Sequence, residues 1–533
     1  MRRLVSNVDT TSDQFRTNRE ANLGLAADLK KHLDAARYDR PERSLKRLEE
    51  RGKLTVRQRL ELLLDPGTPF LELSPLAAMD AYNGDAPQGL VVTGIGIING
   101  REVMITAGDS SLKGGSWYPL SVHKIVRALK IALRNRLPVL NLVDSGGAFL
   151  PLGDEIYAAG GHIYYSLCRL SAEGIPTLAL TLGPATAGGA YLPTLCDQSI
   201  IVRDTGFVFL AGPPLVKAAT GEDVTNEELG GADMHAGVSG TSDYAVDDER
   251  EGLALCREIV GTWPKQTKTD VDRREIEEPF YDPDELYGIV PDDIKKQFDV
   301  REVIARIVDG SRFVEFKPDY GDTMVTGWAY LMGMKIGILG NNGVLFSEAA
   351  NKASQFMQLC DRDGVPLLFL HNITGFMVGL EYERGGITKN GAKMLMVQAN
   401  VTVPKISVYV NASQGAGNYA MAGPAWDPRF VFAWPNSRSS IMGAEQAVNV
   451  LTQVRIANLK REEQREPTDE EVARIRDDVG DYFERTSHPY HLTSELRDDG
   501  LIDPTDTRAV LGLAFEAALN APITRTPGGV LRI

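Results

Sequence analysis

Two glycine clusters carry the chemistry that can be read from this chain: Gly188 and Gly189 in TAGGAY, and Gly415, Ala416 and Gly417 in QGAGNY. Backbone without a Cβ lets an oxygen come close to amide N–H groups, and N–H groups at the start of a helical turn have no acceptor within it. Rigid donors of this kind suit an oxygen that becomes negative during a reaction. One isolated cluster is as readily explained by close packing or a tight turn. Two in matching contexts weaken that explanation. A second glycine-bearing loop lies about 40 residues before each cluster, at DSGGA from Asp144 and NITGF from Asn372. The arrangement fits a reaction with two oxyanions, one for each set of donors.

Other chemistry finds less support. Ser145 lies in DSGGA without a GxSxG elbow and with no histidine placed as its base, so a structural turn is the better reading. GIGIING from Gly94 misses the GxGxxG spacing and lies between two strands. His488 and His491 form a lone HxxH in a polar stretch, and solvated histidines are the simpler account. No GxxxxGK[ST] loop is present, and Cys168, Cys196, Cys256 and Cys360 are scattered with no CxxC pair. Neither a metal site nor a disulfide framework is expected.

The elements that must position the clusters repeat. VTGIGIINGREVMITA from Val92 parallels VTGWAYLMGMKIGILG from Val325, each reading as strand, turn at Gly100 or Gly333, and strand. RLPVLNLVDSGGAFL from Arg136 parallels GVPLLFLHNITGFMV from Gly364, and the cluster from Thr181 parallels that from Tyr409. Short, continuous apolar strands followed by helical patterns predict an α/β arrangement with strands buried on both faces. Residues 14 to 64 read as helices broken at Pro41 and around Gly52, residues 264 to 300 as a linker, and 455 to 487 as a charged helical pair. A chain of 533 residues exceeds one core and divides naturally into two domains with an N-terminal extension. With 43% hydrophobic and 24% charged residues it reads as globular, and its net charge of -15 argues against nucleic-acid binding. No apolar run long enough for a membrane span and no secretory leader are evident, so the cytoplasm is the expected compartment.

Several longer segments resemble the carboxyltransferase (β) subunits of biotin-dependent acyl-CoA carboxylases. They are RGKLTVRQRLELLLDPGTPFLELSPLA, the run from Phe209 through AGPPLVKAATGE, NNGVLFSEAANKASQF from Asn341 and DDGLIDPTDTR from Asp498. The nearest branch is that of methylcrotonyl-CoA and geranyl-CoA carboxylases. The resemblance implies two tandem crotonase-like (ClpP/crotonase) domains of ββα units, with boundaries at 1–75 (helical extension), 76–285 and 286–533. It implies a ligase-type enzyme that moves a carboxyl group from carboxybiotin, carried on a partner (α) subunit, to an acyl-CoA. Two oxyanions arise, on the thioester and on the biotin ureido group. By similarity, Gly188 and Gly189 serve the thioester, Ala416 and Gly417 serve biotin, and no side-chain base is needed.

Further expectations follow from the same likeness. Gly146, Gly147 and Ala148 contact substrate, and Tyr419 and Met421 wall the acyl pocket. Arg51, Lys53 and Lys113 are candidate cations for the phosphates of coenzyme A. Neither a biotinylation site nor a biotin carboxylase region is recognisable, so both belong to another polypeptide. The expected assembly is a homo-hexamer, the β6 core of an α6β6 complex. The preferred substrate is 3-methylcrotonyl-CoA, with propionyl- or longer-chain acyl-CoA as the alternative. The chain departs from the branch at LGDEIYAAGGHIYYSLCRLSAEG, where typical members end in a Phe-Tyr-Asn-Gln run, and at GDSSLKGG from Gly108. A single-domain crotonase hydratase or isomerase and a non-catalytic scaffold subunit are the readings from other classes.

Overall fold

The computed structural model of the chain describes residues 1–524 and Val530. Sixteen strands are present among them: β1 (Arg2–Arg3), β2 (Leu71–Leu73), β3 (Val91–Ile98), β4 (Arg101–Gly108), β5 (Val139–Ser145), β6 (Thr177–Thr186), β7 (Gln198–Val202), β8 (Phe207–Phe209), β9 (Tyr244–Val246), β10 (Arg312–Glu315), β11 (Met324–Leu331), β12 (Met334–Asn341), β13 (Leu367–Ile373), β14 (Lys405–Gln414), β15 (Phe430–Ala433) and β16 (Arg438–Ser440). They form two sheets. One runs β2-β3-β4-β5-β6-β7-β9 with β8 beside β6, the other β1-β10-β11-β12-β13-β14-β15 with β16 beside β14.

The duplication read from sequence is a duplication of sheet. The hairpins β3/β4 and β11/β12 are antiparallel, whereas β4 to β7 and β12 to β15 are parallel. Each hairpin turns on two left-handed residues, Asn99 and Gly100 in the first and Met332 and Gly333 in the second. That geometry matches the twist of the flanking strands. Register breaks at the same place in both, between Val143 and Ser145 and between His371 and Ile373. The parallel strands are buried throughout at β5 and β13, as the continuous apolar runs require.

The extension forms helices Asp13–Tyr38, Glu42–Glu50 and Val56–Leu63, broken at Pro41 and Gly52 as expected. Thr55 starts the third with a capping box to Gln58. The charged insertion is the expected helical pair, Ala444–Glu463 and Asp469–Ser487. The two halves share one apolar core, in which Leu129, Ile163 and Ile201 pack in the same cluster as Ile336, Phe430 and Leu511. Polar ties cross the same junction, including Arg127 with Asp499 at 2.7 Å and Lys268 with Glu516 at 2.8 Å. The extension is shared as well: β1 pairs with β10 of the second sheet, while Val56, Leu60 and Leu63 pack into the core of the first.

Candidate active site at the ends of the parallel strands

Both glycine clusters follow the C-terminal ends of the longest parallel strands, β6 and β14. A residue of positive φ turns the chain there in each copy, Ala187 at φ 55° and Gly415 at φ 59°. A 3-10 turn follows in the first copy (Ala187–Ala190) and a helix of one turn in the second (Ala416–Ala420). Four or five residues generate little macrodipole, so donation rests on the local N–H groups. Gly188 and Ala416 are exposed, and Gly189 and Gly417 buried, in the same alternation.

The space around the clusters separates packing from donation. A Cβ on Gly189 would meet no atom within 4 Å, so nothing in the packing of the chain demands glycine there. A Cβ on Gly417 would stand 2.6 Å from Cδ1 of Ile373, so that glycine also lets its helix sit against β13. At Gly188 a Cβ would lie 2.6 Å from Oη of Tyr164, whose hydroxyl donates to the Gly188 carbonyl at 2.8 Å. Sequence alone does not single out Tyr164, because nothing in a helical pattern reveals which backbone carbonyl a phenol will reach.

The upstream loops are braced by their neighbours. Trp117 bridges Ala148 as Leu345 bridges Phe376. Gly147 (φ 90°) and Gly375 (φ 126°) hold left-handed backbone that L side chains rarely adopt. The N–H of Gly146 donates to Gly114 O at 2.8 Å and that of Gly147 to Ser145 Oγ at 3.2 Å. These two donors are spent inside the protein, so the loop can offer a ligand shape but not those amides. Ser145 donates to Gly115 O at 2.7 Å and is the structural turn residue the sequence implied.

Two expected ligand contacts are corrected. Lys53 Nζ is buried against Asp144 Oδ1 at 2.7 Å, an ion pair that serves the interior. Met421 is fully buried in the core of the second copy. Tyr419 is exposed, with its ring stacked on Trp426 at 5.3 Å. Arg51 is exposed and makes no ion pair among the described residues, and Lys113 is half exposed and pairs with Asp85 at 3.0 Å. His488 accepts from Tyr490 N as a helix cap.

Beneath the first cluster lies a charged network. Asp144, at the register break, accepts from Lys53, from Arg59 at 2.9 Å and from Ser110 at 2.7 Å, and Arg59 also binds Glu249 at 2.6 Å. Burial alone would raise the Asp144 carboxyl, but the Arg59 and Lys53 charges overcome it and hold it below the usual range. Gly183 leaves room for this carboxylate, because a Cβ there would collide with Asp144 Oδ1. Beside the same cluster an apolar cavity of about 460 Å³ is lined by Ala190, Tyr191, Val208, Leu210, Val216 and Leu229. Among the described residues no group of side chains could hold a metal ion, and no helix is long and apolar enough to cross a membrane.

Known proteins share this arrangement. The carboxyl transferase domain family matches residues 47–528. The β chain of mitochondrial methylcrotonoyl-CoA carboxylase from Arabidopsis thaliana is 48% identical, covering 99% of this chain and 92% of its own length. The β1 subunit of a biotin-dependent 3-methylcrotonyl-coenzyme A carboxylase from Mycobacterium tuberculosis is 49% identical over 96% of this chain and 97% of its own. The crystal structure of the geranyl-CoA carboxylase β subunit of P. aeruginosa superimposes with a TM-score of 0.88 at 42% identity, covering all of both chains. With sequence, sheet topology and full-length coverage in agreement, the chain belongs to the carboxyl transferase family, as a carboxyltransferase β subunit of the biotin-dependent acyl-CoA carboxylases.

Proposed function

We propose that this chain carboxylates 3-methylcrotonyl-CoA, using one glycine cluster for each of two oxyanions. The observation that carries the reading is the matched pair of positive-φ residues after β6 and β14, with Gly189 buried yet facing open space. In this reading the N–H groups of Gly188 and Gly189 bind the thioester oxygen and hold it as the enolate forms. Rigid amides need no reorganisation as that charge develops, an advantage worth about 2.7–4 kcal/mol per donor. Ala416 and Gly417 present the equivalent donors to the ureido oxygen of biotin, which fits an exposed, uncharged turn of this shape. Biotin, bound to a partner subunit, supplies the carboxyl group. The chain's own part is to orient the two oxygens and exclude water between them.

The apolar cavity beside Gly189 suits a branched or unsaturated acyl group, with a longer chain such as geranyl the second choice. Arg51 and Lys113 remain the candidates for the phosphates of coenzyme A. We divide the chain into an extension (1–75), a first crotonase-like domain (76–285) and a second (286–533). Large apolar side chains stand exposed around both clusters: Leu150, Tyr157 and Leu210 on the first copy, and Val378, Leu380 and Ile441 on the second. Two such rims favour burial against each other across a two-fold, first copy to second copy, within a β6 core of an α6β6 assembly. A soluble protein of the cytoplasm remains our reading of its setting.

The deciding measurement is kcat/KM of the complex reconstituted with its biotin-bearing partner on acetyl-, propionyl-, 3-methylcrotonyl- and geranyl-CoA. Preference for 3-methylcrotonyl-CoA is expected, with neighbouring chain lengths accepted more slowly because an apolar pocket discriminates by only about 1–3 kcal/mol per methylene. A clear preference for acetyl-CoA overturns the assignment.

A further inference from the structure

We propose that Tyr164 is a positioning residue for the first glycine cluster, locking the Gly188–Gly189 peptide so that its N–H faces the thioester oxygen. The inference rests on the oxyanion reading above. The Gly188 carbonyl accepts two hydrogen bonds, from Tyr164 Oη at 2.8 Å and from the N–H of Tyr191. No cis peptide bond occurs among the described residues, so the Gly189 N–H points opposite to that carbonyl. Two donors on the oxygen therefore fix the direction of the amide. The phenol is itself held, with its ring edge-on to Tyr191 at 5.8 Å.

This arrangement also explains why residue 188 is glycine. A Cβ there would lie 2.6 Å from the Tyr164 hydroxyl, too close for both to keep their places. The second copy supplies a control within the same molecule. By the offset shared by the pairs Arg136/Gly364 and Thr181/Tyr409 on either side, Tyr164 corresponds to Ala392 and Gly188 to Ala416. Where the hydroxyl is missing, the glycine is missing too. Sequence repetition conveys the turn to both copies, but among the described residues the phenol-to-carbonyl bond is recorded in the first.

Tyr164→Phe, Gly188→Ala, their double variant and Gly189→Val test this in the reconstituted complex, with thermal midpoints measured alongside. One lost hydrogen bond corresponds to a decrease of up to about tenfold. Tyr164→Phe is expected to lower kcat by about that factor, leaving KM for the acyl-CoA within about twofold and the thermal midpoint unchanged. Gly188→Ala is expected to match it, and the double variant to lose no more than either alone, since both remove one contact. A raised KM with unchanged kcat, or losses that multiply in the double variant, overturns the proposal. If Tyr164→Phe keeps wild-type kcat while Gly189→Val is inactive, the lock is wrong and the oxyanion site stands. If Gly189→Val is active, the oxyanion site itself is wrong, and the lock falls with it.

Discussion

The two copies share a sheet, a hairpin and a turn, yet they solve the same interior problem differently. At the register break the first copy buries Asp144 and surrounds it with Lys53, Arg59 and Ser110. The second places neutral Asn372 there, accepting from Asn411 at 3.0 Å. Position 183 of the first copy must be glycine to admit the carboxylate, whereas its counterpart, Asn411, fills the same space with an amide. The charged solution recruits Arg59 from the extension and Glu249 from a distant helix, tying remote segments together beneath the site. The neutral solution draws on Asn411 and on the Phe298 carbonyl, with no charged partner on Asn372. A buried charge requires countercharges as well as hydrogen bonds, whereas a buried amide requires hydrogen bonds alone.

The sharpest way to break this comparison is Arg59→Ala. It leaves Glu249 without its guanidinium and Asp144 with one cation fewer, a loss of about 3–5 kcal/mol in denaturant unfolding. Asn372→Ala at the matching position removes only a neutral contact and is expected to cost about 1–3 kcal/mol. Equal losses at the two sites would show that the charged floor carries no special weight.

The glycines form the next contrast. Gly189→Val projects into open space, so the protein should fold with a normal thermal midpoint and lose at least about 100-fold in kcat. Gly417→Val meets Ile373 and is expected to destabilise the fold by about 1–3 kcal/mol, in addition to any loss of activity. A Gly189→Val protein with more than about a tenth of wild-type kcat would falsify the donor role.

Acid separates the copies by a smaller margin. His371 of the second copy is fully buried beside Ser413 at 2.8 Å, and burial lowers its pKa to about 3 from 6.5. The unfolded chain therefore binds a proton below pH 6.5 that the folded chain refuses, and stability falls as pH drops from 6.5 toward 3. Asp144 responds in the same direction but in a lower window. Its carboxyl is depressed, so its contribution persists until pH falls below about 4. At pH 5.5 the second copy should have lost about 1.4 kcal/mol from His371. Hydrogen exchange at that pH should show β13 and β14 opening before β5 and β6. The reverse order would remove this distinction.

The paired Gly100 and Gly333 turns, the apolar strands from Val139 and Leu367 and the helix breaks at Pro41 and Gly52 all lie in local pattern, so they could be read directly. Met421 and Lys53 were misplaced for one reason: a residue type next to a motif does not reveal which way its side chain points. Met421 turns into the core. The Lys53 ammonium, expected on a phosphate, finds a carboxylate 91 positions away in the chain.

By itself, the sequence determined the duplication, the α/β class, the order of elements and the two glycine turns, because strand periodicity, turn chemistry and internal repetition are properties of neighbours. Tertiary structure alone decided which amides remain available, which glycine is packed and which faces open space, and which phenol reaches the Gly188 carbonyl. Those outcomes depend on groups far apart in the chain meeting within a hydrogen-bond length, and no local pattern records such a meeting.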